Sequence, residues 1–554
     1  MRALAFAVAI TILLPACTTG PDGGQKLTDP VIDVAALKQM TETLASDAFE
    51  GRAPMTPGED RTVAYIAEQF AAAGLSPGHS GGWFQDVPLV EQTVAAATAD
   101  MTFAVPGGAA FVAKFGADVV TWSKRVEPRI TVRDSELVFV GYGINAPEKG
   151  WNDYAGVDVA GKTVLILVND PDWQTPTLDG PFRGRAMTYY GRWTYKYEEA
   201  ARQGAAAAII IHDTEPAGYG WKTVASSWTG PQIDMDGSNV SVPRVAIEAW
   251  LQKPVASRLL AAAGADLSSL TLRAKSKNFR AISLGIKMSV QLDNAIRKAR
   301  SKNVVGILPG QAAAGEHVIY TAHWDHLGRC GADATGDDIC NGALDNATGT
   351  AGLIALAKAH GAAGPARRSL LFVAVTGEES GLLGSAWYAD NPSVPLAATV
   401  AGINMDGLNI VGPTHDVVVI GGGKSELESL LAEEVARQGR RIEPEPKPEN
   451  GSYYRSDHFS LAKKGVPMLY ADSGIDIVGK GRAFGQARAD DYTANRYHQP
   501  GDEYDPAWNW EGALQDLTLN YRIGRRIADG DAWPNWLPGD EFRAVRDASL
   551  AAGR

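Results

Sequence analysis

Six side chains that can bind divalent metals or carry protons recur through the second half of the chain: His323, Asp345, the neighbours Glu378 and Glu379, Asp406 and His498. HVIYTAH closes on His323, RRSLLFVAVTG runs into Glu378 and Glu379, and GINMDG holds Asp406. GALDNATG sets Asp345 just ahead of a helical stretch, and RYHQPGDEYD brings in His498. Singly, each has an ordinary explanation. A histidine at a strand end is usually hydrogen-bonded or at the surface, an aspartate before a helix is its cap, and adjacent acids are solvated turn residues. Together they form the set a two-metal centre requires. Imidazole and carboxylate suit Zn²⁺, and two ions ~3.5–4 Å apart need a carboxylate between them. Their positive charge also keeps several acids ionised at close range. In such a centre one of two adjacent glutamates ligates a metal while the other stays free to take a proton from the attacking water.

Those groups need a rigid frame. From about residue 284 the pattern alternates between strands and helices. KMSVQL, NVVGILPG, HVIYTAH, RRSLLFVAVTG, TVAGINMDG, HDVVVIGGG and GVPMLYADSG read as strands, with helices at Thr348 to His360 and Ser425 to Gln438 between them. This is the α/β signature of a mixed, largely parallel sheet with helices on both faces, and ligands collect at the carboxyl ends of such strands. Residues 34–75 read as helical, with Leu37, Met40 and Leu44, then Val63, Ile66 and Phe70, at core spacing. From about 100 to 283 the texture changes to short strands such as ELVFVGYGI, KTVLILV, AAAAIIIHD and SVPRVAI, interrupted by one helix near Tyr195 to Gln203. The expected partition is a signal segment at 1–17, a tether at 18–27, a first part of the catalytic domain at 28–100, an inserted β-rich block at 101–283, the catalytic domain proper at 284–535 and a tail at 536–554.

A chain of 554 residues exceeds one ordinary core, and its net charge of −12 without a Lys/Arg stripe excludes nucleic acid as an expected partner. The apolar run Ala3 to Leu14 behind Arg2 is too short to span a bilayer and suits a signal-peptide core. Leu14-Pro15-Ala16-Cys17 reads as a lipobox, so a lipid anchor on Cys17 is expected. Thr18, where inner-membrane retention would favour aspartate, places the exported chain on the outer membrane facing the periplasm. Export favours disulfides. With Cys17 lipidated, Cys330 and Cys340 remain as the expected pair.

The motifs resemble the M28 family of zinc peptidases, related to bacterial aminopeptidases and glutamate carboxypeptidase. The residues carrying the likeness are His323-Trp324-Asp325, Gly342-Ala343-Leu344-Asp345-Asn346, Glu378 through Ser385, Asn404-Met405-Asp406 and Tyr497-His498, with Phe49-Glu50-Gly51-Arg52 as an early segment. DYAGVDVAGKTVLILV and EEAARQGAAAAIII resemble the protease-associated domain often inserted in that family. The resemblance implies two zinc ions and peptide substrates. Asp345 would bridge the ions, His323 and Asp406 would complete one site, and Glu379 and His498 the other. Glu378 would be general base and then acid, Asp325 would orient His323, and Tyr497 would contact the substrate carbonyl. Asp457 and His458 match a recurring family stretch without an assigned role. The implied activity is that of an aminopeptidase. A carboxypeptidase, a glutaminyl-cyclase-like transferase and a non-catalytic receptor are the alternatives.

Two chance motifs fall away. Gly78-His79-Ser80-Gly81-Gly82 fits a serine-hydrolase pattern but follows AAAGLSP instead of a buried strand, and Gly423-Lys424-Ser425 lacks the leading glycine of a phosphate loop. The loop between His323 and Asp345, which holds both spare cysteines, either narrows substrate access or is an inert insertion.

Overall fold

A computed structural model describes residues 27–237 and 243–553. Cys17 and its lipobox lie outside the described residues. The strand Arg368–Val375 is buried at every position, which is why its sequence is apolar without alternation. It lies parallel to Ala313–His323, which pairs in parallel with Thr399–Asn404, and that strand in parallel with Met468–Leu469. On its other side Arg368–Val375 pairs antiparallel with Ile282–Leu308. The expected mixed, largely parallel sheet is therefore present.

Successive side chains of these strands point to opposite faces. Val318, Tyr320, Ala322, Leu370, Phe372 and Ala374 join one core with the helices Val34–Leu44, Pro57–Ala72, Gly349–Ala362 and Glu511–Asp529. Ile319, Leu371, Val373 and Val375 join another with Tyr388 and Ala389 of Leu383–Asp390 and Leu461 of His458–Ala462. Both faces are covered, so the strand ends at the sheet's carboxyl edge are the place left for a ligand.

The reading of KMSVQL and NVVGILPG as separate strands needs correcting: they belong to one continuous strand, Ile282–Leu308. The polar stretch between them looks like a loop because its residues alternate between partly covered and exposed. Its backbone is nonetheless bonded throughout by Phe84–Val94 along Asn294 to Val304. This strand joins the catalytic sheet to the sheet of the middle block, and the expected passage at 283/284 falls inside it. The middle sheet continues through Arg129–Phe139, Thr163–Leu167, Ala207–His212 and Ile247–Gln252, mutually parallel, with Val119–Trp122 antiparallel at the edge.

More helices flank this sheet than the sequence reading gave. Besides Trp193–Arg202 there are Trp221–Trp228, Lys253–Ala262 and Leu267–Ala274. Their signals were present: Pro254 sits in the first turn of one and Asp266 caps another through the Ser269 N–H. Among the described residues no helix is long and apolar enough to cross a membrane.

Candidate metal centre

The loop after Arg368–Val375 presents Glu378 and Glu379, and the loop after Thr399–Asn404 presents Asp406. His323 is the last residue of its strand, so it faces them at the same sheet edge. Asp345 comes from the irregular turn Ala343–Thr348, which is tied down from below. Asp502, itself buried, accepts the N–H groups of Leu344 and Asp345 at 3.0 and 3.1 Å. Asn346 Oδ1 accepts from Gly349 N and Gly407 N, linking the Asp345 turn to the Asp406 loop. A Cβ at Gly349 would lie 2.0 Å from that oxygen, so only glycine fits.

Arg52 fixes the other flank. Its buried guanidinium donates to the carbonyls of Trp324, Leu44, Asn341 and Gly342 at 2.6–2.8 Å, binding the end of the His323 strand to the approach to Asp345. Gly51 has φ +62°, and a Cβ there would meet Cys340 O at 2.5 Å, so this segment packs directly on the Cys330–Cys340 loop. The expected disulfide is formed, with Cα atoms 5.9 Å apart.

The six singled-out side chains converge. His323 Nε2 lies 3.3 Å from Asp345 Oδ1 and 3.2 Å from Asp406 Oδ1. His498 Nε2 lies 3.3 Å from Asp345 Oδ2 and 3.0 Å from Glu379 Oε2. Asp345 thus stands between the two imidazoles, one carboxylate oxygen toward each. Ligand atoms of His323, Asp345 and Asp406, and of His323, Glu378 and Glu379, lie within 4.8 Å of one another.

Two details test whether a metal fits. His323 Nδ1 meets the Asp325 carbonyl at 3.1 Å and can only donate there, so Nε2 is the ring atom left to face the two carboxylates. Such an arrangement needs a cation, proton or metal, between them. His498 Nε2 is sealed from solvent and makes no well-aligned hydrogen bond despite its two close carboxylates. Atoms that face a common point instead of each other are what a metal ligand set requires, and the residues fit zinc.

The electrostatics match this crowding. Burial, then the His323 charge in opposition, then Asp406, Glu379 and Asp457, leave the Glu378 carboxyl well above its ordinary range. Asp345 is buried too, yet the close imidazoles of His323 and His498 hold it well below that range. Burial works against a charged His498, but Asp345 and Glu379 outweigh it and raise the ring to about 10.

Three placements differ from the expectations. The Asp325 carboxylate is 3.8 Å from His323 Nδ1, so the backbone carbonyl of the same residue does the orienting. The carboxylate instead accepts the Glu378 N–H at 3.1 Å, and so positions the Glu378 turn. Tyr497 is 45% exposed and stacks on His498 with ring centroids 3.8 Å apart. It stands at the rim of the cluster. His326 was passed over in the sequence. It is fully buried, and its Nδ1 sits 2.6 Å from Glu379 Oε1. The signal was there in His323-Trp324-Asp325-His326, but a histidine three positions past a strand end carries no fixed direction. Asp457 and His458 are buried with no well-aligned partner on their side chains, and Asp457 is raised to about 7 by burial first. His79, His212, His317, His360 and His415, which have no carboxylate company of matching pattern in the sequence, are in none of these ligand groups. His360, for example, bonds the Tyr320 hydroxyl at 3.0 Å.

Residues 303–521 match the sequence profile described as peptidase family M28. No curated protein matches the chain. Among solved structures, the aminopeptidase from Aneurinibacillus sp. strain AM-1 is 20% identical with a TM-score of 0.47, over 90% of this chain and 94% of that one. BSAP, a zinc aminopeptidase from Bacillus subtilis, is 16% identical with a TM-score of 0.41, over 91% and 98%. A peptidase M28 precursor from Shewanella amazonensis is 16% identical with a TM-score of 0.39, over 91% and 99%. Every residue of the cluster lies within 303–521, the stretch that matches the peptidase family M28 profile.

Proposed function

We propose that the chain is a dinuclear zinc exopeptidase, and specifically an aminopeptidase that removes N-terminal residues from peptides. The observation that carries this reading is the difference between the two neighbouring glutamates. Glu379 is engaged on both oxygens, by His326 and by His498. The Glu378 carboxylate has no hydrogen bond or ion pair among the described residues, yet it is within reach of His323 and Glu379. One acid is fixed as a ligand and the other is free to carry a proton.

In this reading His323, Asp345 and Asp406 would hold one zinc, and Asp345, Glu379 and His498 the other. Bound zinc would supply a Lewis acid and bring the pKa of water toward neutrality. The protein's own part is proton handling and orientation. Glu378 takes the proton of the attacking water and delivers it to the departing amine, in a site dry enough to favour its neutral form after each transfer. Asp325 keeps the Glu378 turn in place through its backbone N–H. The half-exposed Tyr497 hydroxyl is available to the substrate carbonyl at the rim. The Cys330–Cys340 disulfide supports an exported protein, in keeping with a lipid anchor on Cys17.

The test is to assay the purified chain on free-amine, N-blocked and C-blocked peptides while counting zinc per molecule. Cleavage confined to free-amine peptides with two zinc ions bound is expected. Glu378→Gln should lower turnover on the order of 10³-fold with zinc retained. Cleavage of N-blocked peptides, or a Glu378→Gln variant with near-normal rate, would overturn the assignment. Cyclised products from N-terminal glutamine with a single zinc would favour the transferase.

A further inference from the structure

The two proposed zinc sites rest on different kinds of support. His323 and Asp406 come from the ends of neighbouring parallel strands, which are locked together where the Thr321 hydroxyl donates to Asn404 Oδ1 at 2.6 Å. The Thr350 hydroxyl holds the His323 carbonyl from behind at 2.7 Å. Glu379, Asp345 and His498, in contrast, stand on loops and turns. His498 has φ +59°, a left-handed conformation that a residue with a Cβ keeps only when its surroundings hold it there.

What secures these loops converges on a short hairpin. Gly328–Arg329 pairs antiparallel with Ile339–Cys340, and the Cys330–Cys340 disulfide closes the loop between them. A two-stranded hairpin this short is marginal by itself, so the crosslink is what keeps its arms together. Its base is fitted against the Arg52 segment, where a Cβ at Gly328 would lie 2.6 Å from that of Ala53.

Each arm of the hairpin leads to a ligand of the second site. Just before it, His326 places Nδ1 2.6 Å from Glu379 Oε1. Directly after it comes Asn341, wholly buried, whose amide donates to Asp47 Oδ1 at 2.7 Å and to Glu503 Oε1 at 2.8 Å. Glu503 follows Asp502, which grips the Asp345 turn with its carboxylate and takes the Ala343 N–H on its carbonyl at 2.9 Å. The Tyr492 hydroxyl donates to Asp502 Oδ2 at 3.1 Å and closes the turn that carries His498. Glu379, Asp345 and His498 are thus all reached from one hairpin base through short bonds, whereas His323 and Asp406 rest on the sheet.

We propose that Asn341 is a positioning residue and the disulfide-closed hairpin its clamp, which together keep Glu379, Asp345 and His498 in register and set how tightly the second zinc is held. The inference rests on the dinuclear reading above. It gives the Cys330–Cys340 loop a task distinct from narrowing substrate access.

Two variants of the full chain test it: Asn341→Ala, and the double replacement of Cys330→Ser with Cys340→Ser. Competitive zinc titration should show the second ion bound ~10–100-fold more weakly in each, with the first ion within about twofold of wild type. Turnover should fall at low zinc and recover in excess zinc, which the loss of a catalytic group would not allow. Because both changes act along one path, the combined variant should lose less than the product of the two. The cysteine variant leaves Asn341 and its partners in place, so it remains informative if Asn341→Ala folds poorly. Equal weakening of both ions would mean a general loosening and overturn the proposal. Unaltered zinc affinity with a changed KM for longer peptides would make the loop an access barrier, and no change at all an inert insertion; either result overturns the clamp. Fewer than two ions in the wild type sinks the dinuclear reading, and the positioning role falls with it. Selective loss of one ion without hydrolysis of any peptide sinks the peptidase reading alone.

Discussion

Parallel strands end on polar residues in two regions of this molecule. In the middle block Thr163–Leu167 leads to Asn169 and Asp170, and Ala207–His212 ends on its histidine. Here the polar groups find backbone partners. Asp170 accepts from Thr188 N and Oγ1 at 2.7 and 2.9 Å, Asn169 donates to Pro216 O, and His212 Nε2 meets Tyr219 O at 3.0 Å. Lys196 Nζ, wholly buried, donates to the carbonyls of Tyr142 and Asn169. In the catalytic sheet the corresponding side chains face one another: His323 meets Asp345 and Asp406, and His498 meets Asp345 and Glu379. A strand-end group bonded to backbone holds a loop in place. Groups that face only each other set up a charge problem that a cation resolves.

The strongest way to break this contrast is one substitution made in both regions. Asp345→Asn removes the carboxylate shared by the two imidazoles and should cost on the order of 10³-fold in turnover, together with loss of bound zinc. Asp170→Asn keeps shape and alters a carboxyl that burial has already raised to about 7, so turnover should stay within about twofold. Zinc analysis and steady-state rates on both variants decide. A zinc-replete, active Asp345→Asn protein would erase the distinction.

A smaller effect of opposite kind is expected at Lys196. Burial first, opposed by Asp170 and Asp153, brings this amine down to about 8. Lys196→Met would leave the two buried carbonyls without their donor. Leaving a buried acceptor unpaired costs about 1–3 kcal/mol, readable as a lower urea midpoint, with the rate per folded molecule unaltered. A lowered rate at unaltered stability would move the middle block into the catalytic machinery.

How much of this was legible before the structure depends on what each signal encodes. The strand ends at His323, Glu379 and Asp406 were readable because a fully apolar run stops where the side chain appears, and the period-two rule then fixes its edge of the sheet. The continuous strand Ile282–Leu308 was not readable across Asp293 to Lys302, because its regularity comes from a partner strand two hundred residues earlier and not from its own apolar pattern. His326, Arg52 and Asp502 were missed for a related reason. Each acts through bonds whose direction depends on loop geometry: His326 to Glu379, Arg52 to four carbonyls, Asp502 to two N–H groups of the Asp345 turn.

His326 offers a finer cut within the cluster. Its contact leaves one Glu379 oxygen engaged and the other toward His498. Hydrogen-bonded neighbours of metal ligands typically change metal affinity ~10–100-fold when removed. Competitive zinc titration should show that loss for His326→Ala and a partial recovery for His326→Asn, whose amide can still donate. Equal losses in both variants would make the ring a packing element.

The smallest effect sharpens the comparison from outside both regions. Glu59, in the first turn of Pro57–Ala72, is 3% exposed and accepts the Met55 N–H. Burial first, against that hydrogen bond, raises its carboxyl to about 7. The folded protein therefore binds this proton more tightly than the unfolded chain, so its favourable contribution is complete below the ordinary carboxyl range and is lost as pH rises through about 7. Glu59→Gln has no proton to lose, and its stability relative to wild type should improve by about 2 kcal/mol between pH 5 and pH 8. Urea unfolding at the two pH values reads this directly. Because Glu59 sits apart from the metal-site cluster, its pH dependence follows one group, in contrast to a cluster where close imidazoles hold Asp345 low while burial holds Glu378 high. A pH-independent difference between Glu59→Gln and wild type would mean that this acid is already ionised in the fold, and that burial alone does not separate it from the acids at the strand ends.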